Sequence, residues 1–170
     1  KLLEILKNVP GSSIVYCKTR KTAHRVSGLL QENNIGAGFY HAGLSQELRD
    51  EKQSAWKSGK LRVMCSTNAF GMGIDKSNVR TVIHFDVPDA LESFYQEAGR
   101  AGRDGKKAYS VILYNYKDLN NLSQLHEIKY TTLDVIKKIY KSIADFLAIN
   151  VKSGGGEYFS FNINEFCAVF

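Results

Sequence analysis

The sequence has few cysteines, no cysteine pair at metal-binding spacing and no long apolar run, and each absence removes a class of protein. Cys17, Cys65 and Cys167 stand far apart, odd in number and never as C-x-x-C, which argues for neither a zinc site nor a disulfide framework. A reducing, intracellular setting (cytoplasm or nucleoid, the nucleus in a eukaryote) suits such thiols. Although 44% of the 170 residues are hydrophobic, no stretch reaches the roughly 18–20 apolar residues a membrane helix needs, so no membrane partner is expected. The opening Lys1-Leu2-Leu3-Glu4-Ile5-Leu6-Lys7 mixes charge with apolar residues and does not read as a secretory signal. No initiating Met is present and the last residues, Phe166-Cys167-Ala168-Val169-Phe170, are apolar, so a piece of a longer protein is expected. Internal repeats and low-complexity tracts are missing too. So is any GxxxxGK[ST] phosphate loop, which means that a bound nucleotide would have to be held mainly elsewhere.

What is present is an alternation of short apolar β-rich runs with helical patterns, the signature of a parallel sheet flanked by helices. The expected strands are Ser13–Cys17, Ala37–Tyr40, Leu61–Ser66, Thr81–Asp86 and Tyr109–Tyr114, apolar enough to be covered on both faces. Thr19 and Ser45 are expected helix caps, with Gly59 as the stop of the second helix; Asp89, backed by Glu92, is the expected cap of a third. This α/β core, residues 1–129, gives way at 130–170 to a helical linker over Thr131–Ile149. A Ser153-Gly154-Gly155-Gly156 turn, a short strand around Tyr158–Ile163 and a helix capped by Asn164 follow, the pattern of a truncated winged-helix-like accessory domain. Trp56 on a helix reads as core, and the four histidines show no metal-ligand spacing; His41 is read as structural.

The chemistry concentrates in Gln96-Glu97-Ala98-Gly99-Arg100-Ala101-Gly102-Arg103-Asp104-Gly105. If the third helix runs through this segment, a turn of about 100° per residue puts Gln96, Arg100 and Arg103 in one sector. Leu91, Phe94, Tyr95 and Ala98 then lie opposite, facing the sheet. Two guanidiniums with fixed forked donors suit a polyphosphate. Solvated charges in a last helical turn are the bland alternative, made less attractive by two glycines that weaken the helix. The net charge of +6 permits a polyanionic partner.

Four ordered segments carry a family resemblance. Ile14-Val15-Tyr16-Cys17-Lys18-Thr19-Arg20 resembles helicase motif IV, and Tyr40-His41-Ala42-Gly43-Leu44 the stretch that follows it. Ser66-Thr67-Asn68-Ala69-Phe70-Gly71-Met72-Gly73-Ile74-Asp75-Lys76 resembles motif V, and Gln96 through Gly105 motif VI. Together they resemble the C-terminal RecA-like lobe of superfamily 2 helicases, specifically RecQ; motif VI opens with Gln-Glu rather than the His-Arg of DEAD-box proteins. The resemblance implies the second motor lobe of an ATP-dependent DNA helicase of 3′-to-5′ polarity. Arg103 would be the arginine finger, Arg100 a phosphate or coupling contact and Gln96 a nucleotide sensor. Gly73 and Asp75 would lie near the ATP sugar, where many relatives carry Asn in place of Asp75. Lys18, Thr19, Arg20, Thr67 and Asn68 would meet the DNA backbone, on single strands and duplex junctions. ATP and Mg²⁺ would be bound mainly by an N-terminal RecA-like lobe, and the isolated chain would be inactive. No cysteine occurs between Tyr114 and Ile149, so the zinc module of many RecQ proteins is not expected. Two alternatives stand beside this reading: an RNA helicase or remodelling ATPase lobe, and a catalytically inactive nucleic-acid- or partner-binding module.

Overall fold

A computed structural model describes residues 1–71, 76–149, 156 and 158–170, with the backbone alone over 125–129. The chain forms two compact units, Lys1–Asn120 and Asn121–Phe170.

The first unit is an α/β layer structure. In chain order it contains α1 (Leu2–Asn8), β1 (Ser12–Tyr16), α2 (Arg20–Glu32), β2 (Ala37–Tyr40), α3 (Gln46–Lys57), β3 (Val63–Ser66), β4 (Val79–His84), α4 (Leu91–Ala98) and β5 (Tyr109–Ile112). The five strands pair in the order β2-β3-β1-β4-β5, all parallel, with β1 in the centre. All five expected strands form, within one to two residues at each end. The period-two alternation divides the core into two layers. Val15, Cys17, Val63, Cys65 and Ile83 join Leu6 of α1 and Val26 and Leu30 of α2 in one. Ile14, Tyr16, Met64, Val79 and Val82 join Trp56 of α3 and Phe70 in the other. Trp56 is fully buried, and its indole N–H donates to the Ser13 carbonyl at 3.1 Å, which satisfies the one polar atom it brings inside.

The helix ends follow local chemistry. The Thr19 hydroxyl accepts from the Thr22 amide at 3.0 Å, and that of Ser45 from the Leu48 amide at 3.4 Å, as expected for caps. Gly59, with φ +85°, ends α3. Asp89 behaves differently: Ala90 is the N-cap of α4 and no side chain caps it, because the Asp89 carboxylate accepts from Lys18 Nζ at 2.6 Å instead.

The second unit contains most of α5 (Tyr116–Lys129), which begins in the first, then α6 (Leu133–Phe146) and α7 (Ile163–Val169). Phe146, Phe161 and Phe166 pack edge-on against one another and Phe170 lies tilted against Phe166, with ring centroids 5.3–5.9 Å apart. The strand expected around Tyr158–Ile163 is not there: 158–162 has no regular structure and Ile163 opens α7. Asn162, not Asn164, caps that helix, its side-chain oxygen accepting from the Asn164 amide at 2.9 Å. Residues 153–155 of the expected glycine turn lie outside the described residues.

Candidate functional site

Parallel α/β sheets present ligands at the carboxyl ends of their strands, and the motif segments of this chain gather there. After β1, the Lys18 amide donates to the Asp86 carboxylate beyond β4 at 2.8 Å, tying two strand ends together. Lys18 and Asn68 line one cavity of about 150 Å³, with Tyr16 and His84 at the strand ends and Glu97 of α4. Asn68 is exposed; Thr67 is half-buried, its amide donating to the Tyr40 carbonyl at 3.4 Å. Arg20 opens α2 and is exposed, its guanidinium lying 2.5 Å from where a Cβ on Gly43 would stand. Lys18, Thr19, Arg20, Thr67 and Asn68 therefore share one sheet edge, with the Lys18 ammonium held by Asp89 and the Thr19 hydroxyl used as a cap.

The arginine segment departs from a single continuous helix. Residue Ala98 ends α4, Gly99 is its C-cap, and a turn carries the chain through Arg103. Gly102 makes that turn possible: its φ is +65°, its amide donates to the Val79 carbonyl at 2.9 Å, and a Cβ there would stand 2.9 Å from the Lys106 carbonyl. The expected common sector of Gln96, Arg100 and Arg103 is thereby broken. Arg100 turns inward and donates from Nη1 to the Gly71 carbonyl at 2.5 Å, while Gln96 and Arg103 stay exposed. Arg103 Nε donates to the Gly99 carbonyl at 3.4 Å. The apolar side of α4 is also less covered than expected. Leu91 and Tyr95 are 65% and 66% exposed, and only Phe94, Glu97 and Ala98 are half-buried. Gly73 and Asp75 lie outside the described residues.

Two residues that sequence reasoning did not single out anchor this helix. His84, at the end of β4, is 1% exposed and bonds Glu97 Oε2 through Nε2 at 2.9 Å. Its ring is in contact with those of Tyr16 and Phe94, with centroid distances of 5.6 and 5.1 Å. Burial pushes the Tyr16 hydroxyl far above its ordinary pKa, against the opposing pull of the Arg100 guanidinium, so Tyr16 stays a neutral donor, bonding the Phe70 carbonyl at 2.8 Å. The available signal was a histidine following the apolar Val82-Ile83 pair at the end of β4 and a glutamate three residues after Phe94 on the same helix face.

The donor set fits a phosphate. Arg100 Nε is buried and has no hydrogen-bond partner among the described residues, an unsatisfied N–H beside an exposed second arginine. No group of three or more His, Cys, Asp or Glu that could hold a metal occurs among the described residues. No helix of the described residues is long and apolar enough to cross a membrane.

Residues 1–105 match the helicase conserved C-terminal domain. RecQ-like DNA helicase blm-1 of Caenorhabditis elegans is 47% identical over 127 residues, which is 74% of this chain and 13% of that protein. ATP-dependent DNA helicase RecQ of Bacillus subtilis is 49% identical over 108 residues, 64% of this chain and 18% of that one. A DEAD box protein from the hyperthermophile Methanococcus jannaschii is similar in structure, with a TM-score of 0.63 and 31% identity over 73% of this chain and 35% of that chain. The parallel sheet with its motif-bearing edge is that of a helicase RecA-like lobe. The chain belongs to the helicase conserved C-terminal domain family, as the C-terminal lobe of a RecQ-type superfamily 2 helicase. It spans only 13–18% of the length of these two curated relatives.

Proposed function

We propose that this lobe is the second half of an ATP-driven DNA-unwinding motor, working against a nucleotide held mainly by an N-terminal RecA-like lobe. The observation that supports it most is the seating of Arg100 on Gly71, which joins motif VI to motif V three residues before an exposed Arg103. In this reading Arg103 is the arginine finger, a role worth about 10³–10⁵ in rate in phosphoryl transfer generally. Arg100, with its unsatisfied Nε, ties phosphate binding to the lobe, and Gln96 senses the nucleotide. Gly73 and Asp75 belong by family resemblance near the ATP sugar. ATP supplies the energy, with Mg²⁺ held by the other lobe. Lys18, Thr19, Arg20, Thr67 and Asn68 form half of a DNA track that grips phosphates without reading bases. The 3′-to-5′ polarity is carried over from the family, as is work on DNA in the nucleoid or nucleus. We read residues 1–129 as the lobe and 130–170 as an accessory helical or winged-helix-like segment, while the compact units divide earlier, after Asn120. No zinc module is proposed for this stretch of chain, which has no cysteine between Tyr114 and Ile149.

The second reading is RNA, the nucleic acid named for a putative ATP-dependent RNA helicase of Acanthamoeba polyphaga mimivirus that is 36% identical to this chain over 147 residues. ATP turnover of the full-length protein, measured with single-stranded DNA and with RNA of equal length, separates the two. Stimulation by DNA supports the proposal, and stimulation by RNA alone replaces it. Turnover by the isolated chain would contradict the division of labour between lobes.

A further inference from the structure

The helix that delivers the arginines is weakly held by ordinary means. No residue of α4 is fully buried, no side chain caps it, and Leu91 and Tyr95 face solvent. Among the described residues, the polar contact that seats it on the sheet is His84 Nε2 to Glu97 Oε2 at 2.9 Å, with side chains 1% and 14% exposed, beside the contact of the Phe94 and His84 rings. A hydrogen bond to a carboxylate is stronger than a neutral one, and strongest where water is excluded. His84 is itself pinned, its ring in contact with those of Tyr16 of β1 and Phe94 of α4. The Tyr16 hydroxyl holds the Phe70 carbonyl, and the next carbonyl, that of Gly71, receives Arg100. The contacts close a ring: Glu97 to His84, His84 to Tyr16, Tyr16 to Phe70, Gly71 to Arg100, and three residues back along the chain to Glu97.

We propose that Glu97, acting through His84, is a positioning residue for Arg100: the carboxylate–imidazole contact fixes the last turn of α4 so that the guanidinium lands on the Gly71 carbonyl. Neither residue touches nucleotide or nucleic acid in this role. The bond orders His84 as well: Nε2–H is given to the Glu97 carboxylate, and Nδ1 has no hydrogen-bond partner among the described residues. A side chain at position 84 therefore needs only the one donor at the Nε2 position, and glutamine supplies a donor at that reach.

The inference rests on the motor reading above, and its test is arranged to fail separately. In the full-length protein, Glu97→Ala lowers kcat for DNA-stimulated ATP turnover about ten- to a hundredfold, the scale of a misplaced catalytic group, with KM for ATP within about twofold. His84→Ala does the same, whereas His84→Gln stays within about threefold of wild type. In an Arg100→Ala background, Glu97→Ala has less than about a twofold further effect, because residues that act as one unit are not additive. Full multiplication of the two losses, or a loss in His84→Gln equal to that in His84→Ala, overturns the proposal. A second readout needs no turnover: in ¹⁵N spectra of folded protein the buried Arg100 Nε–H is slow to exchange, and Glu97→Ala makes it fast. If wild type hydrolyses no ATP but this protection is lost in Glu97→Ala, the motor reading falls and the positioning survives. Unchanged protection in Glu97→Ala overturns the positioning itself.

Discussion

Arg100 Nη1 donates to the Gly71 carbonyl oxygen at 2.5 Å, and a Cβ on Gly71 would stand 2.5 Å from Nη2 of the same guanidinium. Two segments twenty-nine residues apart in sequence thus share one seat, and glycine is what leaves room for it.

Gly71→Ala tests that seat. The methyl group meets the far end of a long side chain that can swing aside, so the fold loses only about 1 kcal/mol, the low end for an added methyl. Turnover of the full-length protein falls about tenfold or more because the arginine is displaced. Thermal melting and steady-state kinetics on the same sample check both halves, and a large melting shift would mean that Gly71 serves the fold first.

Trp56 is the largest fully buried side chain, packed edge-on against Phe70 at 5.3 Å and crossed by the Lys76 ammonium 4.8 Å from its ring. Trp56→Ala is expected to cost about 3–5 kcal/mol, a large share of the roughly 5–15 kcal/mol that holds an ordinary domain. The urea midpoint of the variant checks it, and Trp56→Phe should fall between the two.

The expected elements emerged in the structure wherever the governing contacts were local. The Thr19 and Ser45 caps and the Gly59 stop depend on residues within a few positions of each other, and the five strands are legible as short apolar runs although their pairing joins distant residues such as Ser13 and Val63. Asp89 was misread because its partner, Lys18, is 71 positions away. The arginine row was misread because helical periodicity was extended across Gly99 and Gly102, where the Gly102 amide instead bonds Val79 of β4. His84 and Glu97 went unnoticed because a buried pair exists only once β4 and α4 meet. The Phe146–Phe161 and Phe146–Phe166 contacts that organise the second unit likewise join residues far apart in sequence.

Cysteine reactivity separates the core from the surface. Burial holds the Cys17 thiol at a pKa of about 12 and pushes that of Cys65 up as well, while Cys167 is exposed. Thiolate is the reactive form, so a soluble thiol reagent at neutral pH should modify Cys167 rapidly and the other two only after unfolding. Fast modification of more than one thiol in the native protein would contradict the burial of β1 and β3.

Arg80 bonds Asp104 at 2.5 Å and, with the Lys106 amide, holds its carboxyl below the ordinary value of 3.8. A carboxyl with a lowered folded pKa contributes stability above its unfolded pKa, and that contribution is lost as pH falls through the folded value. Wild type and Asp104→Asn should therefore differ in melting temperature at neutral pH and converge below about pH 4, as linkage requires. A gap that persists into strong acid would show that the loss is not the ion pair.

Arg103→Ala in the full-length protein tests the central claim most directly, with ATP affinity and single-stranded-DNA-stimulated turnover measured side by side. An arginine finger supplied across the cleft predicts loss of turnover by about 10³-fold or more with ATP still bound. Turnover equal to wild type would contradict the assignment of Arg103 to the reacting phosphate.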